Sequence, residues 1–263
     1  MRIRLTGGRL SGRALLGLSR LAQAHGDGRV RLTSRANLQL RALPHDEYAA
    51  GRLREDLVTA IEELGLLPSR THDLVRNVML SPESGLAGGR ADLRPLAEAL
   101  DAAVRGDARL ATLPAKFLLT LDDGRGDLMG RETDLGLVAL SGTDGQLRVG
   151  GGWGPVVRLE EAAPALLALA HRFLDVRGRG PSAAWHVDEL SGPLTAPVAP
   201  DGRLPDPAGP LAYGAGPAGD HVAAVDGALS PALVDAIVDR LTDPDDLVVV
   251  TPWRGVLVPK ETR

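Results

Sequence analysis

The sequence predicts an α+β protein in which two copies of a β-α-β-β unit form one domain and a middle α/β segment forms another. A Gly-x-Leu-Ser stretch occurs near both ends, as Gly8-Arg9-Leu10-Ser11 and Gly227-Ala228-Leu229-Ser230, and an apolar helical pattern follows each one. Two short β-rich runs come after each helical pattern. Between the copies, strand and helix patterns alternate, as is typical of an α/β segment. The 263 residues are 44% hydrophobic and 24% charged, which is ordinary globular composition.

In the first copy, Ser11 stands at the N-cap position of a helical pattern that ends near Ala24. Strands are predicted from Arg29 to Thr33 and from Asn37 to Ala42. A second helix is predicted from His45 to Leu67, because apolar residues recur there on one stripe. The residues of that stripe are Leu53, Leu57, Ile61 and Leu64.

The middle segment is predicted to hold two helices and several strands. Asp92 is expected to cap a helix from Leu93 to Arg105, with Pro95 in the first turn, where a missing N–H costs little. Residues 191–220 are rich in Pro, Gly and Ala and are interpreted as a linker or surface loop. The other predicted elements are strands at Lys116 to Leu121, Leu135 to Leu140 and Leu147 to Val149, and a helix from Arg158 to Val176 that Gly178 ends.

In the second copy, Ser230 caps a helical pattern that runs through Leu241, and strands are predicted from Leu247 to Thr251 and from Gly255 to Val258. We expect residues 211–263 to pack against residues 1–43 in one sheet or about a pseudo-dyad, because a lone two-stranded unit is only marginally stable in water. The alternative is that two common β-α units match by chance.

The composition argues against several classes of protein. No run of about 18 apolar residues suggests a membrane span, and no apolar stretch follows Met1 as in a signal peptide, so we expect a cytoplasmic protein. The net charge of −4 argues against non-specific nucleic-acid binding. The chain has no cysteine, and His72, His171 and His186 do not follow a zinc-binding spacing, so no metal site is predicted.

Three segments resemble the nitrite/sulfite reductase family. They are GDGRVRLTSRANLQLRAL (26–43), VRNVMLSP (75–82) and LPAKFLLTLDDGRGDL (113–128). Lys116-Phe117-Leu118 stands where assimilatory sulfite reductases usually read K-F-K. That departure favours the precorrin-3B synthase branch of cobalamin biosynthesis, and DDGRGDL and TPWRGVLVP (251–259) favour it too.

The resemblance implies a nitrite/sulfite reductase-like fold with two ferredoxin-like half repeats. Residues 1–68 and 211–263 would form one composite domain, and residues 69–205 the middle α/β domain. The resemblance covers three of the four parts of the family's layout, and the implied protein is a truncated member without the cysteine-bearing final domain.

The resemblance also implies site residues. Arg4, Arg35, Arg76 and Lys116 would face a tetrapyrrole and the oxyanion bound on its distal side, with Arg76 and Lys116 in the catalytic role. Asn37, Gln39, Arg41 and Asn77 would bind or orient the macrocycle edge. If residues 35–41 form a strand, Arg35, Asn37, Gln39 and Arg41 share one face and can line one wall of the pocket. The alternative is that these arginines are ordinary solvated surface residues.

The implied cofactors are sirohaem or a precorrin, and a [4Fe–4S] cluster held by four cysteines in the family. This chain has no thiolate to bind a cluster. The implied function is that of a precorrin-3B synthase-like or nitrite/sulfite reductase-like oxidoreductase fragment that retains the tetrapyrrole pocket. The alternatives are a subunit that a separate cysteine-bearing partner chain would complete, a non-catalytic tetrapyrrole-binding or scaffold protein, and a non-functional remnant. Self-association is also expected, because apolar surface that the missing domain would cover is exposed.

Overall fold

The computed structural model describes residues 1–46 and 52–260. The chain divides into two compact units. The composite unit contains residues 1–73 and 211–263, and the middle unit contains residues 74–210. No helix in the described ranges is both long enough and apolar enough to cross a membrane.

The elements are numbered in chain order. The first part of the composite unit contains β1 (Arg2–Ile3), β2 (Arg9–Ser11), α1 (Gly12–His25), β3 (Val30–Leu32), β4 (Leu38–Gln39) and α2 (Glu55–Glu63). The middle unit contains β5 (Val78–Leu80), α3 (Arg94–Gly106), β6 (Leu119–Asp122), β7 (Leu135–Ala139), β8 (Asp144–Val149), β9 (Gly152–Arg158) and α4 (Ala162–Val176). The second part of the composite unit contains β10 (Gly214–Ala215), β11 (Gly219–Ala223), β12 (Ala228–Leu229), α5 (Pro231–Val238), β13 (Leu247–Val250) and β14 (Gly255–Pro259).

The two repeats of the composite unit exchange a strand. One sheet has the order β1-β4-β3-β12, and the other has the order β10-β11-β14-β13-β2. Strand β2, which precedes α1 in the first repeat, pairs with β13 of the second repeat. Strand β12, which precedes α5 in the second repeat, pairs with β3 of the first repeat. Leu10 of β2 lies opposite Val248, and Ala228 of β12 lies opposite Arg31. The predicted pairing of the two ends of the chain is therefore confirmed.

Both helix starts in the repeats are built as predicted. The Ser11 hydroxyl accepts a hydrogen bond from Ala14 N at 3.1 Å, and the Ser230 hydroxyl accepts one from Leu233 N at 3.3 Å. Each bond satisfies a backbone donor that the first turn of a helix leaves without a partner. Helices α1 and α5 contact each other, and their apolar faces share one core with the strands. Fully buried members of that core include Leu15, Leu18, Val234, Ile237, Val248 and Val250.

The element bounds in the composite unit differ most from the prediction at three elements. The helix predicted from His45 to Leu67 is observed only at Glu55–Glu63, and His45 instead forms an isolated bridge with Leu53. Residues 47–51 of that prediction lie outside the described residues. The strand predicted from Asn37 to Ala42 is observed only at Leu38–Gln39, because its partner β1 has two residues. Helix α5 ends at Val238, three residues before the predicted end.

The middle unit is built on a mixed sheet of order β5-β6-β7-β8-β9. Strands β5, β6 and β7 are parallel, and β8 and β9 add an antiparallel hairpin. Every residue of β5, β6 and β7 is buried, which is typical of parallel strands covered on both faces. Helices α3 and α4 form a common core with the sheet, and its buried members include Leu100, Val104, Leu166 and Phe173.

Several elements of the middle unit also differ from the prediction. The strand predicted from Lys116 to Leu121 is observed at Leu119–Asp122, so Lys116 lies before the strand. Helix α3 begins at Arg94, and Asp92 accepts a hydrogen bond from Arg94 N at 3.0 Å, so the helix starts one position later than predicted. Helix α4 begins at Ala162 because Arg158, its predicted first residue, ends strand β9. Strand β5 was not predicted, since its three residues are too few to show a period. The predicted fold class, two ferredoxin-like half repeats in one unit and a middle α/β unit, is confirmed.

Candidate functional site

The site residues on the composite unit begin at the turn between β3 and β4. Thr33 N donates to Asn37 O at 2.9 Å, and Ala36 N donates to Thr33 O at 3.1 Å. The Thr33 hydroxyl oxygen also accepts from Arg35 N at 3.4 Å and from Asn37 N at 3.2 Å. Ala36 has a φ of 55°, in the left-handed region that a tight turn requires. The half-buried Arg35 is therefore carried by a turn whose backbone is fixed.

Of the predicted four-residue strand face, the structure places only Gln39 on a strand, because Arg35 lies in the turn and Asn37 and Arg41 flank β4. Beyond the turn, Leu38 and Leu40 are buried, and Gln39 and Arg41 alternate with them as half-buried and exposed residues. These two side chains keep the predicted outward positions. Because the turn changes the direction of the chain, Arg35 is presented by a different backbone geometry from Gln39.

The Asn37 side chain binds the backbone of the protein itself. It is 1% exposed, and its Oδ1 accepts a hydrogen bond from Leu5 N at 2.9 Å. That bond ties the start of β4 to the end of β1. The predicted ligand residue therefore shapes the site from within, and this contact of Oδ1 is with the protein's own main chain.

Arg4 is also buried, and it has a carboxylate partner that sequence reasoning missed. Its guanidinium donates to Asp73 Oδ2 at 3.1 Å, and the two side chains are 4% and 13% exposed. Asp73 lies 69 positions away in the chain, so no local pattern signals the pair.

Register places two further arginines beside Gln39. Arg2 of β1 lies opposite Gln39 on one side, and Arg31 of β3 lies opposite it on the other. Arg31 is bound to Asp27 at 2.6 Å. The three side chains form a row across neighbouring strands, with the buried Ile3, Leu32 and Leu38 alternating along the same strands. Sequence reasoning named only Gln39 of this row, because the row exists only once the strands are paired.

The site residues on the middle unit lie at one edge of its sheet. Strands β5 and β6 are parallel, with Val78 opposite Leu119, so Arg76, Asn77 and Lys116 all precede neighbouring strands at the same edge. The structure therefore brings together the three site residues that the resemblance places in this unit. Lys116 is exposed, whereas Arg76 and Asn77 are 5% and 3% exposed.

Two buried residues fix the backbone on either side of Lys116. Asn77 Nδ2 donates to Ala115 O at 3.1 Å and to Phe117 O at 3.2 Å, from the β5 side. From the β7 side, Asp134 Oδ2 accepts from Leu118 N at 2.8 Å. Asn77 thus positions the lysine, where the resemblance implies a ligand contact, and Asp134 is a positioning residue that sequence reasoning missed.

Arg76 is held by a buried carboxylate. Its Nε donates to Asp101 Oδ1 at 2.7 Å, and the two side chains are 6% and 8% exposed. Asp101 Oδ2 accepts from Arg105 one turn further along α3 at 2.9 Å. One signal for this partner was present in the sequence. Asp101 falls on the apolar stripe of α3 with Ala97, Leu100 and Val104, and a carboxylate buried on such a stripe needs a partner.

The second repeat contains a turn with the same backbone hydrogen bonds and different side chains. Thr251 N donates to Gly255 O at 2.9 Å, Arg254 N donates to Thr251 O at 3.1 Å, and Arg254 has a φ of 62°. Trp253 stands at the position of Arg35, and Gly255 at that of Asn37. The cation and amide that the resemblance assigns to a ligand are thus present only in the first repeat.

An aromatic cluster fills the second turn. The Tyr213 ring lies 4.6 Å from the His221 ring, and the Tyr213 hydroxyl donates to Trp253 O at 2.5 Å. His221 Nδ1 lies 3.2 Å from Ala212 O, and Nε2 lies 2.9 Å from the Thr251 hydroxyl. A carbonyl can only accept, so Nδ1 carries the proton and Nε2 accepts from the hydroxyl. Burial lowers the pKa of His221, which agrees with this neutral ring.

The two sites do not resemble a metal centre. Within residues 1–46 and 52–260, no group of three His, Asp or Glu side chains is placed to hold a metal ion. The donors at the composite-unit and middle-unit sites are guanidinium, ammonium and amide groups, which suit anions and carboxylates.

The chain is similar to known proteins both in sequence and in fold. Residues 1–54 match the family described as nitrite/sulfite reductase ferredoxin-like half domain. The chain is 35% identical over 134 residues to the ferredoxin–nitrite reductase of Synechococcus elongatus, an alignment that covers 47% of this chain and 24% of that protein. The structure of the Mycobacterium tuberculosis NirA protein superposes with a TM-score of 0.74 at 20% identity, over 99% of this chain and 54% of that one.

The chain spans about a quarter of the curated relative and about half of the structural neighbour. The fold is nitrite/sulfite reductase-like. The sequence similarity covers the ferredoxin-like half domain at residues 1–54 and, for the nitrite reductase, 47% of this chain.

Proposed function

We propose that this chain is the tetrapyrrole-binding part of a nitrite/sulfite reductase-like oxidoreductase of the precorrin-3B synthase branch. The observation that carries the proposal is the outward set formed by Arg35 on its fixed turn and by Gln39 and Arg41 beyond it. These side chains are half-buried or exposed, so their donors can reach a ligand. The segment that contains them lies within the residues that match the ferredoxin-like half domain.

The residues present fit a carboxylate-rich tetrapyrrole such as sirohaem or a precorrin. Guanidinium groups bind carboxylates through paired hydrogen bonds, and an amide adds a neutral donor. Arg35 and Arg41 supply the first kind of group and Gln39 the second. Arg2, which lies beside Gln39 on the neighbouring strand, adds a further guanidinium, whereas the charge of Arg31 on the other side is paired with Asp27. When bound, sirohaem would supply the iron centre for redox chemistry.

The chain's own residues would bind and orient the ligand and its substrate. On the middle unit, Lys116 presents an exposed ammonium from a backbone that Asn77 and Asp134 hold in place. An ammonium is a compact donor for an oxyanion. Arg76 is oriented by its buried contact with Asp101, so we assign it to positioning and to the local electrostatic field.

The residues present do not fit a [4Fe–4S] cluster. The sequence contains no cysteine, and iron–sulfur clusters are held by thiolates. No step that uses a cluster is assigned to this chain. Full redox activity would require a partner that supplies the thiolates, and the alternative function is tetrapyrrole binding or scaffolding without catalysis.

Titration of the purified protein with sirohaem, followed by its absorption spectrum, tests the proposal. A charge-assisted hydrogen bond contributes about 1.5–3 kcal/mol, so Arg35→Ala should weaken binding by about tenfold or more. Arg20→Ala, which removes an exposed arginine from α1, is the matched control and should bind as the wild type does. Absence of saturable binding, or equal affinities for the wild type and Arg35→Ala, would overturn the proposal.

A further inference from the structure

Residues 199–208, which we call the strap, have no regular secondary structure and lie against the loops of the middle unit. Gln146 Nε2 donates to Ala199 O at 2.9 Å, and Asp201 N donates to Gln146 Oε1 at 2.8 Å. Further along, the Arg90 guanidinium donates to the Arg203 carbonyl, and Ala208 N donates to Gly126 O at 2.9 Å. A few polar contacts thus anchor the strap, and its side chains are exposed or half-buried.

The loop beneath the end of the strap contains two neighbouring carboxyl groups. Asp122 ends β6 and accepts hydrogen bonds from Gly124 N, Gly126 N and Leu128 N, each at 2.9 Å. Asp127 follows in the same loop and accepts from the Ser81 hydroxyl at 2.7 Å. The three backbone N–H groups favour the charged form of Asp122, and that charge acts on Asp127 in the same loop.

The proton on Asp127 is held unusually tightly. Burial, together with the charge of Asp122, raises the pKa of Asp127 to about 7. Burial also raises the pKa of Asp122, against the three backbone N–H groups that lower it. Two charged carboxylates at this depth repel each other, so the loop is most stable when the pair retains one proton.

Two of the arginines near the pair bind other acceptors, and the charges of Arg125 and Arg131 act on Asp127. Arg125 binds Asp123 at 2.8 Å and also binds Glu83, and Arg148 of β8 donates to Leu128 O at 3.2 Å and to Arg131 O at 3.1 Å. The groups that interact with the pair are the Ser81 hydroxyl after β5, Asp123, Arg125 and Arg131 in its own loop, and Arg148 on β8. Glu83 and Arg90 lie one contact further away, on Arg125 and on the Arg203 carbonyl of the strap.

Gly126 links the carboxyl pair to the strap. Its N–H donates to Asp122 Oδ1, and its carbonyl accepts from Ala208 N. It has a φ of 86°, and a Cβ at this position would lie 2.2 Å from the Asp206 carbonyl oxygen of the strap. The strap therefore contacts the loop backbone directly, and a shift of the loop displaces the anchor of the strap.

We propose that the strap is a pH-sensitive closure, which docks on the loop while the Asp122–Asp127 pair retains a proton and loosens when the pair carries two charges. The docked state holds a proton that the open state releases. A carboxyl group in water has a pKa of about 4, so opening increases as the pH rises from about 4 to about 7 and levels off above that. Between pH 5 and 8 the open population should rise by at least about tenfold.

Amide hydrogen exchange of the intact protein from pH 5 to 8, corrected for the chemical exchange rate of each amide, tests the proposal. The Ala208 amide should lose protection with pH in the wild type. Asp127→Asn should give a flat profile, because its side chain has no proton to release. Asp175→Asn, which alters an exposed carboxylate on α4, should follow the wild type. A flat wild-type profile, or the same slope in Asp127→Asn, would overturn the proposal.

A second variant tests the coupling from the side of the strap. Ala208→Pro removes the N–H that binds Gly126 O, so the strap should be open at every pH. Because coupling is reciprocal, opening the strap should also lower the pKa of Asp127, measured by carboxyl carbon NMR. An unchanged Asp127 pKa in a folded Ala208→Pro protein would contradict the proposal even if Asp127→Asn cannot be produced.

Discussion

Asp101 shows how one buried charge determines the role of another residue. It lies on the apolar stripe of α3, and its two oxygens accept from Arg76 and Arg105. Arg76 is 6% exposed and Arg105 is 37% exposed. The two arginines share one carboxylate at different depths, so one forms a buried ion pair and the other a surface ion pair.

We expect Asp101→Ala to destabilise the protein by about 3 kcal/mol, because it leaves the Arg76 charge buried without this carboxylate. Arg105→Ala should cost about 0.5 kcal/mol or less, as for other exposed i,i+4 pairs. Urea unfolding monitored by circular dichroism measures both. Equal losses of stability for the two variants would show that the buried ion pair contributes no more than the surface ion pair.

The motifs predicted eight site residues, and the structure separates them into two kinds. Arg4, Asn37, Arg76 and Asn77 are buried and bind the protein's own groups, whereas Arg35, Gln39, Arg41 and Lys116 lie half-buried or exposed at the surface. The sequence could not make this distinction, because the partners Asp73 and Asp101 lie far from the arginines they bind and come close only when the chain folds.

At the scale of elements, the helix starts were the most predictable feature. A serine cap acts within three residues, so Ser11 and Ser230 could be identified from local sequence alone. Short strands were the least predictable. β1 and β12 have two residues each, and only their pairing with β4 and β3 defines them.

We expect Ser11→Ala and Ser230→Ala each to destabilise the protein by about 1 kcal/mol, because each removes the acceptor for a backbone N–H in the first helical turn. The larger effect is expected at Ser11, whose bond of 3.1 Å is shorter than the 3.3 Å bond of Ser230. Thermal or urea unfolding measures the loss. Ser191→Ala, in an exposed loop, is the control and should be neutral. A neutral Ser11→Ala would show that the cap is not stabilising.

At the scale of the whole molecule, the lack of cysteine leads to a direct prediction. Anaerobic reconstitution of this chain with iron and sulfide should leave it without a stoichiometric [4Fe–4S] cluster, because no thiolate is present. Iron and sulfide assays after desalting measure the outcome, and a cysteine-ligated ferredoxin treated in parallel is the control. About four irons per chain, the content of one such cluster, would refute the prediction.

The repeat and the fold class could be predicted because both copies carry the same order of cap, helix and strands. The exchange of strands between the copies could not be predicted. It depends on which sheet β2 and β12 join, and strands of three and two residues are too short to indicate a partner. The hairpin of β8 and β9 was also underestimated, since its glycine-rich turn between Val149 and Trp153 obscures the alternation.

The exchanged strands have a consequence for synthesis on the ribosome. Strand β3 acquires its outer neighbour β12 only after the whole middle unit has emerged. The middle unit is contiguous in sequence and can complete its sheet first. The N-terminal repeat must therefore wait with an unpaired strand edge, a state in which nascent chains are prone to aggregation. Slowing translation after the middle unit should thus reduce the yield of folded protein.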